Sequence, residues 1–188
     1  MSAEKDTRIE KAINYAKSLI NIPYRWYDES TDVSKPDDQF WHGNKVAPDV
    51  KAIILEDKSI VCTGLINLMR RHLWRSVPKH DTCPGGTVAW VNYLSGKNAL
   101  KPIDTNAVYP PGTLLIKKYE NSEDQGHVAV MLEDSYMIHA AADVSYVYRH
   151  KYKNHGYVRV EKYYTHYFTH VCDVSDWLLS ESTKCLSE

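Results

Sequence analysis

Phenylalanine is nearly missing, with 2 in a chain of 188 residues, and cysteine is sparse. The 4 cysteines, Cys62, Cys83, Cys172 and Cys185, show no C-x-x-C spacing and do not form a disulfide framework, so free thiols are expected. Charge of one sign is lacking too. Lys plus Arg number 23 against 24 Asp plus Glu, which leaves no basic footprint for nucleic acid or an anionic membrane. No apolar run approaches the roughly 18 residues that span a bilayer, and the polar stretch from Met1 to Arg8 has no export signal's hydrophobic core. The expectation is a soluble protein, cytoplasmic in the producing cell, with neither nucleic acid nor membrane as partner. The length suits one domain, 1–188, with a core of its own.

Tyrosine and tryptophan are abundant instead, at 14 and 5. Such residues pair an apolar face with a hydrogen-bonding tip and suit a solvent-reached cleft, although Tyr also packs well on a half-exposed sheet.

Thr7-Arg8-Ile9-Glu10 has the form of a capping box, and Ile9, Ala12, Ile13, Ala16, Leu19 and Ile20 follow at helical spacing. This predicts an amphipathic helix that stops before Pro23. A long loop, 27–58, rich in Asp, Ser, Pro and Gly, reads as an insertion. The next helix is predicted over Ser59 to Trp74, with Leu65, Leu68, Met69 and Leu73 as its apolar stripe, Ser59 as N-cap and Cys62 in the first turn. A third short helix is predicted over Thr87 to Leu94. Strands are predicted over Thr113 to Ile116, His127 to Leu132 and Tyr136 to Ala140, the last two forming a hairpin. Tyr157 to Val160 and Tyr163 to Val171 extend the sheet, and Val174 to Leu179 closes the chain as a turn or short helix. Helices first and an antiparallel sheet after them make an α+β domain.

A thiol at a helix start is a candidate nucleophile, because unsatisfied N–H groups there lower its pKa; an inert buried cysteine is the plainer alternative. His127 opens a strand directly after Gly126, and the odd-length connection Glu133-Asp134-Ser135 puts His139 on the same face as its diagonal neighbour. A nucleophile, a base and a group that orients the base could thus assemble from Cys62, His127 and His139. Two strand histidines bonded only to backbone are the alternative. His166 and His170 near Cys172 do not suggest metal, since that stretch reads as strand and their spacing aligns ligands only on a helix. No metal or cofactor is expected.

Asn21-Ile22-Pro23-Tyr24-Arg25-Trp26, Val61-Cys62-Thr63-Gly64-Leu65, Pro111-Gly112-Thr113-Leu114, His127-Val128-Ala129-Val130 and Met137-Ile138-His139-Ala140 together resemble, in order and spacing, the successive motifs of NlpC-type (NlpC/P-sixty) cell-wall cysteine peptidases, which have a papain-like fold. The resemblance runs from about Ile9 to Ala142; the segment 143–188 lies outside it. It implies that Cys62 attacks an amide carbonyl, that His127 activates it and protonates the leaving amine, and that His139 holds His127 in the productive tautomer. It further implies that Tyr24 helps define the oxyanion site with the Cys62 N–H, and that Trp26, Val61, Thr63 and Gly126 border the substrate.

The family usually carries Asp and Ser where Val61 and Thr63 stand, and a Gly pair where Tyr27-Asp28 follows Trp26. Chemistry carries over better than substrate. The expected activity is cleavage of a peptidoglycan stem peptide as endopeptidase or amidase, reached as a lytic enzyme or as an effector toxin sent out by a dedicated secretion machine. Two rivals keep the fold: an acyltransferase using the same thioester, and a binding module without catalysis. An immunity or inhibitor partner is not legible in the sequence.

Overall fold

The structure, a computed structural model, describes residues 3–22, 24, 60–74, 86–121, 124, 126–142, 156–164 and 166–180. The segment 27–58, Trp26, Ser59, Cys83 and Cys185 lie outside the described residues.

Helix α1 spans Ala3–Ser18, so Thr7 sits inside it rather than capping it. Ala3 to Asp6 hold no helix breaker, and the helix simply starts earlier. Its stripe is as predicted: Ile9, Ala12, Ile13 and Ala16 are buried, and Leu19 is buried just beyond it. Ile20 faces outward because a turn ending at Asn21, with φ 73°, has already left the helix.

Helix α2 spans Cys62–Trp74. Its first intrahelical bond runs from the Leu65 N–H to the Val61 carbonyl at 3.1 Å, so Val61 and not Ser59 stands at the cap position. Every residue from Val61 to Arg70 is buried. A stripe alone would suit a surface helix, but α2 is the central one, packed between α1 and the sheet, and even Asn67 and Arg70 are enclosed. Asn67 Oδ1 accepts the Trp90 Nε1–H at 3.1 Å, which meets the demand that buried polar atoms be paired. Trp90 belongs to α3, Gly86–Gly96.

The sheet comprises β1 (Leu100–Pro102), β2 (Leu114–Lys117), β3 (His127–Met131), β4 (Tyr136–Ala142), β5 (Gly156–Lys162) and β6 (His170–Cys172). Its order is β1-β6-β2-β3-β4-β5, and every pairing is antiparallel. Helix α4, Val174–Trp177, follows; Asp173 caps it by accepting the Ser175 N–H at 2.8 Å. Its Trp177 is buried against Trp90 and donates Nε1–H to the Gly112 carbonyl at 2.8 Å. Among the described residues no helix is long and apolar enough to cross a membrane.

Alternation along the strands gives the sheet two covered faces. Val128, Val130, Ile138 and Ala140 meet the helices, whereas Leu115, Ala129, Met131 and Met137 meet Phe168 and Val171 on the far side. The strand predicted over Tyr163 to Val171 is therefore mostly not a strand. The chain must pass from β5 at one edge to β6 between β1 and β2, and Tyr163, Tyr167 and Phe168 cover the far face on the way. Among the described residues of this stretch, only the end, in His170–Cys172, forms a strand of the sheet. Strand β1, too short to show periodicity, was not foreseen.

Candidate active site

The β3–β4 hairpin turns through Asp134 and Ser135, both at positive φ (56° and 61°), with the Tyr136 N–H bonded to the Glu133 carbonyl at 3.1 Å. The register pairs Val130 with Ile138 and Met131 with Met137, so the connection is of odd length and His127 and His139 share a face. Their rings meet directly: His127 Nε2 lies 2.8 Å from His139 Nδ1. Both are buried, and Phe168 and Tyr167 flank the His127 ring.

The β3–β4 ladder ends at Val130 and Ile138, while β4 stays paired to β5 as far as Ala142. The start of α2 docks at that end. The Cys62 thiol is buried in the helix-side core and accepts hydrogen bonds from the main-chain N–H of Val128, next to His127, and from the N–H groups of Thr63 and Cys62 itself; the Thr87 hydroxyl also bonds it. His127 on β3 and His139 on β4 belong to the face opposite the one that Val128 presents to the helices. Burial pushes the Cys62 thiol up, and these hydrogen bonds oppose that without overcoming it. The net depression expected from the helix start alone is not found, because a closed core desolvates the thiolate. Cys172, the other described free thiol, is pushed up to about 12 by burial and by Asp176 and Asp173.

Tyr24 is brought to the site by main chain. Asn21 and Tyr24 donate to the Val158 and Gly156 carbonyls at 2.9 and 2.8 Å, and Tyr24 forms a parallel bridge with Ile60, just before Val61 and Cys62. Val61 and Thr63 flank the thiol but are packed into the protein rather than facing an open cleft. Gly126 has φ +78°, and a Cβ there would lie 2.6 Å from the Lys117 carbonyl oxygen and 2.9 Å from Thr87 Cγ2. Only glycine fits this turn, which sets the start of β3 and hence His127.

Two residues at the site were not singled out in the sequence. Thr87, in the first turn of α3, touches both the thiol and the Gly126 turn. Glu161, on β5, places Oε2 3.1 Å from His139 Nε2 and Oε1 2.6 Å from Arg159 Nε. Neither approach is aligned as a full hydrogen bond, and with the His139 ring neutral only the Arg159 contact is an ion pair. Neither residue lies in a motif; the register of β5 on β4, which sets Arg159 opposite His139, is what delivers Glu161.

Burial lowers the pKa of His139 to about 4, with Glu161 raising it and Arg159 lowering it by smaller amounts. An unfolded chain protonates the same ring near 6.5. The unfolded state therefore binds more protons between about pH 6.5 and 4, and stability falls as pH drops through that window. The expected loss is on the order of 2–4 kcal/mol, one pKa unit being about 1.4 kcal/mol. Urea midpoints at pH 7 and pH 4.5 should separate, and His139→Asn should reduce the gap; equal wild-type midpoints would contradict a neutral His139.

A central helix opening at a cysteine, packed on an antiparallel sheet whose hairpin joins two histidines, is the α+β arrangement of the papain-like NlpC/P60 fold. The chain shares this fold with the peptidoglycan hydrolase RipB from Mycobacterium tuberculosis, at 17% identity and a TM-score of 0.50 over 93% of this chain and 68% of that one. It is also similar to the P60 domain of an antigen from M. avium subspecies paratuberculosis, at 18% identity and a TM-score of 0.48 over 90% and 96% of the two chains. No family model and no curated protein matches the sequence.

Proposed function

We propose that this single-domain protein is a cysteine hydrolase that cleaves an amide bond in the stem peptide of peptidoglycan, as endopeptidase or amidase, in a lytic or effector role. The observation that carries this reading is the direct contact of His127 Nε2 with His139 Nδ1 on a strand whose next N–H, that of Val128, bonds the Cys62 sulfur. RipB, of the same fold, is described as a peptidoglycan hydrolase, which supports the substrate class.

In the proposed cycle the Cys62 thiol gives its proton to Nδ1 of His127, and the thiolate adds to the amide carbonyl. The oxyanion is met by N–H groups at the start of α2 and by Tyr24. His127 then protonates the leaving amine, and the C–N bond breaks to leave a thioester on Cys62. Water, deprotonated by His127, attacks that thioester; the acid product leaves and the thiol is restored. His139 holds His127 throughout. Trp26 and Gly126 border the peptide, with Val61 and Thr63 behind the nucleophile.

The raised thiol pKa fits a nucleophile that ionises by passing its proton to His127 once substrate excludes water, rather than one standing as a free thiolate. Digestion of purified peptidoglycan, followed by mass spectrometry of the soluble products, tests the assignment. New stem-peptide termini are the expected result. Acyl adducts without cleavage would make the protein a transferase, and unchanged peptidoglycan would sink the hydrolase reading.

A further inference from the structure

Resting on the hydrolase reading, we infer that Glu161 is a positioning residue of the site, extending the relay to Cys62, His127, His139 and Glu161. Its carboxylate faces His139 Nε2 at 3.1 Å, while His139 Nδ1 faces His127 Nε2 at 2.8 Å. An ionised carboxylate only accepts, so it selects the tautomer of His139 that carries its proton on Nε2. Nδ1 is then an acceptor, and the one proton that satisfies the 2.8 Å contact is on His127 Nε2. His127 Nδ1 is left without a proton, which is the state a general base requires. The proton on His139 Nε2 thus decides which nitrogen of His127 can act.

Without Glu161 this choice would be open. A buried neutral imidazole satisfies the His127 contact equally well as donor or acceptor, and the opposite arrangement would place the His127 proton on Nδ1 and disable the base. Arg159 holds the carboxylate in place: its Nε lies 2.6 Å from Oε1, and its guanidinium sits over the Tyr157 ring. Glu161 is 33% exposed and Arg159 17%, whereas the His139 ring is buried. The charged and titratable groups around the pair are Arg159, Tyr164 and His127. When His127 takes the Cys62 proton in the reaction, the Glu161 charge also favours the resulting imidazolium through His139. Glu161 lies beyond the last recognised motif, on a strand with no counterpart in the sequence resemblance.

The test has two readouts on the full chain. Long-range nitrogen–proton correlation spectra of the imidazole rings should show His139 and His127 both protonated on Nε2 in the wild type, and a mixture of tautomers in Glu161→Ala. With purified muropeptides as substrate, Glu161→Ala should lower kcat about 10- to 100-fold with little change in KM, as loss of an outer-shell partner does. Its pH–rate bell should broaden, the acid limb moving to lower pH above all, because the resting pair is a neutral thiol and a neutral imidazole and protonation of His127 is less favoured without the carboxylate. Glu161→Gln, which can still accept from Nε2 but carries no charge, should hold the tautomer and keep an intermediate rate. If Glu161→Ala keeps both the wild-type tautomers and the wild-type pH profile while His139→Ala loses activity, the role of Glu161 is wrong and the hydrolase reading stands. If Cys62→Ala still cleaves muropeptides, the cysteine-nucleophile reading is wrong, and the tautomer spectra alone decide whether Glu161 sets the histidines.

Discussion

Cys62→Ala is expected to abolish cleavage of peptidoglycan, with a fall of roughly 10⁴- to 10⁶-fold in kcat, the range seen when a nucleophile is removed from a site that acts as a unit. The remaining groups can bind substrate and polarise a carbonyl, but they cannot form the thioester. The fold should survive. One sulfur atom in the first turn of α2, surrounded by Val128, Thr63 and Thr87, contributes on the order of 1 kcal/mol beyond ordinary packing. His127→Ala should be nearly as damaging, and the double variant little worse than either single one, because each already stops the same proton transfer. Product analysis by mass spectrometry, with circular dichroism to confirm folding, separates loss of chemistry from loss of structure. Wild-type cleavage by a folded Cys62→Ala protein would end the assignment.

Much of this site could be read from residue order because its geometry follows from local rules. An odd-length connection between two short strands fixes which side chains share a face, and that arithmetic alone brought His127 and His139 together. The apolar stripe of α1 was legible for the same reason. What local rules cannot give is how far an element is enclosed. The pattern of α2 marked one buried face, yet α1 and the sheet bury it all round, and the same enclosure raises the Cys62 thiol against the helix-start effect. Nor could spacing reveal Thr87 or Glu161. Both reach the site through packing between elements far apart in the chain, α3 against the Gly126 turn and β5 against β4.

The stretch from Tyr163 to Val171 misled for a different reason. Its tyrosines look like strand residues, but aromatic rings with a polar tip also serve a segment that crosses a sheet face and must cover it. Tyr163 begins the crossing with its N–H on the Ser135 carbonyl at 2.7 Å, at the hairpin turn, and Thr169 ends it with its N–H on the Ile116 carbonyl at 2.9 Å. The part of the chain outside the recognised motifs thus closes the face from which both histidines project, and it supplies the carboxylate beside His139.

Arg70→Ala should destabilise the fold by about 3–5 kcal/mol, through loss of buried charged hydrogen bonds and the cavity left behind. Arg70 lies on α2, is buried, and donates Nη1–H to the Trp177 carbonyl and Nη2–H to the Ser180 carbonyl, the latter at 3.1 Å. It therefore ties α2, the helix that carries Cys62, to the end of α4. Truncation leaves two carbonyls short of a donor and frees Trp177, whose ring fills the core beside Trp90 and whose indole N–H holds Gly112. Arg70→Lys should recover only part of the loss, since a single ammonium cannot span both carbonyls as the guanidinium fork does. Arg70→Met fills most of the volume and so separates packing from hydrogen bonding: it should remain well below wild type if the carbonyl contacts dominate. Urea midpoints of the three variants give the comparison, with activity per folded molecule as the second measurement. A midpoint for Arg70→Ala within error of wild type would show that α2 and α4 are held together by the tryptophans alone.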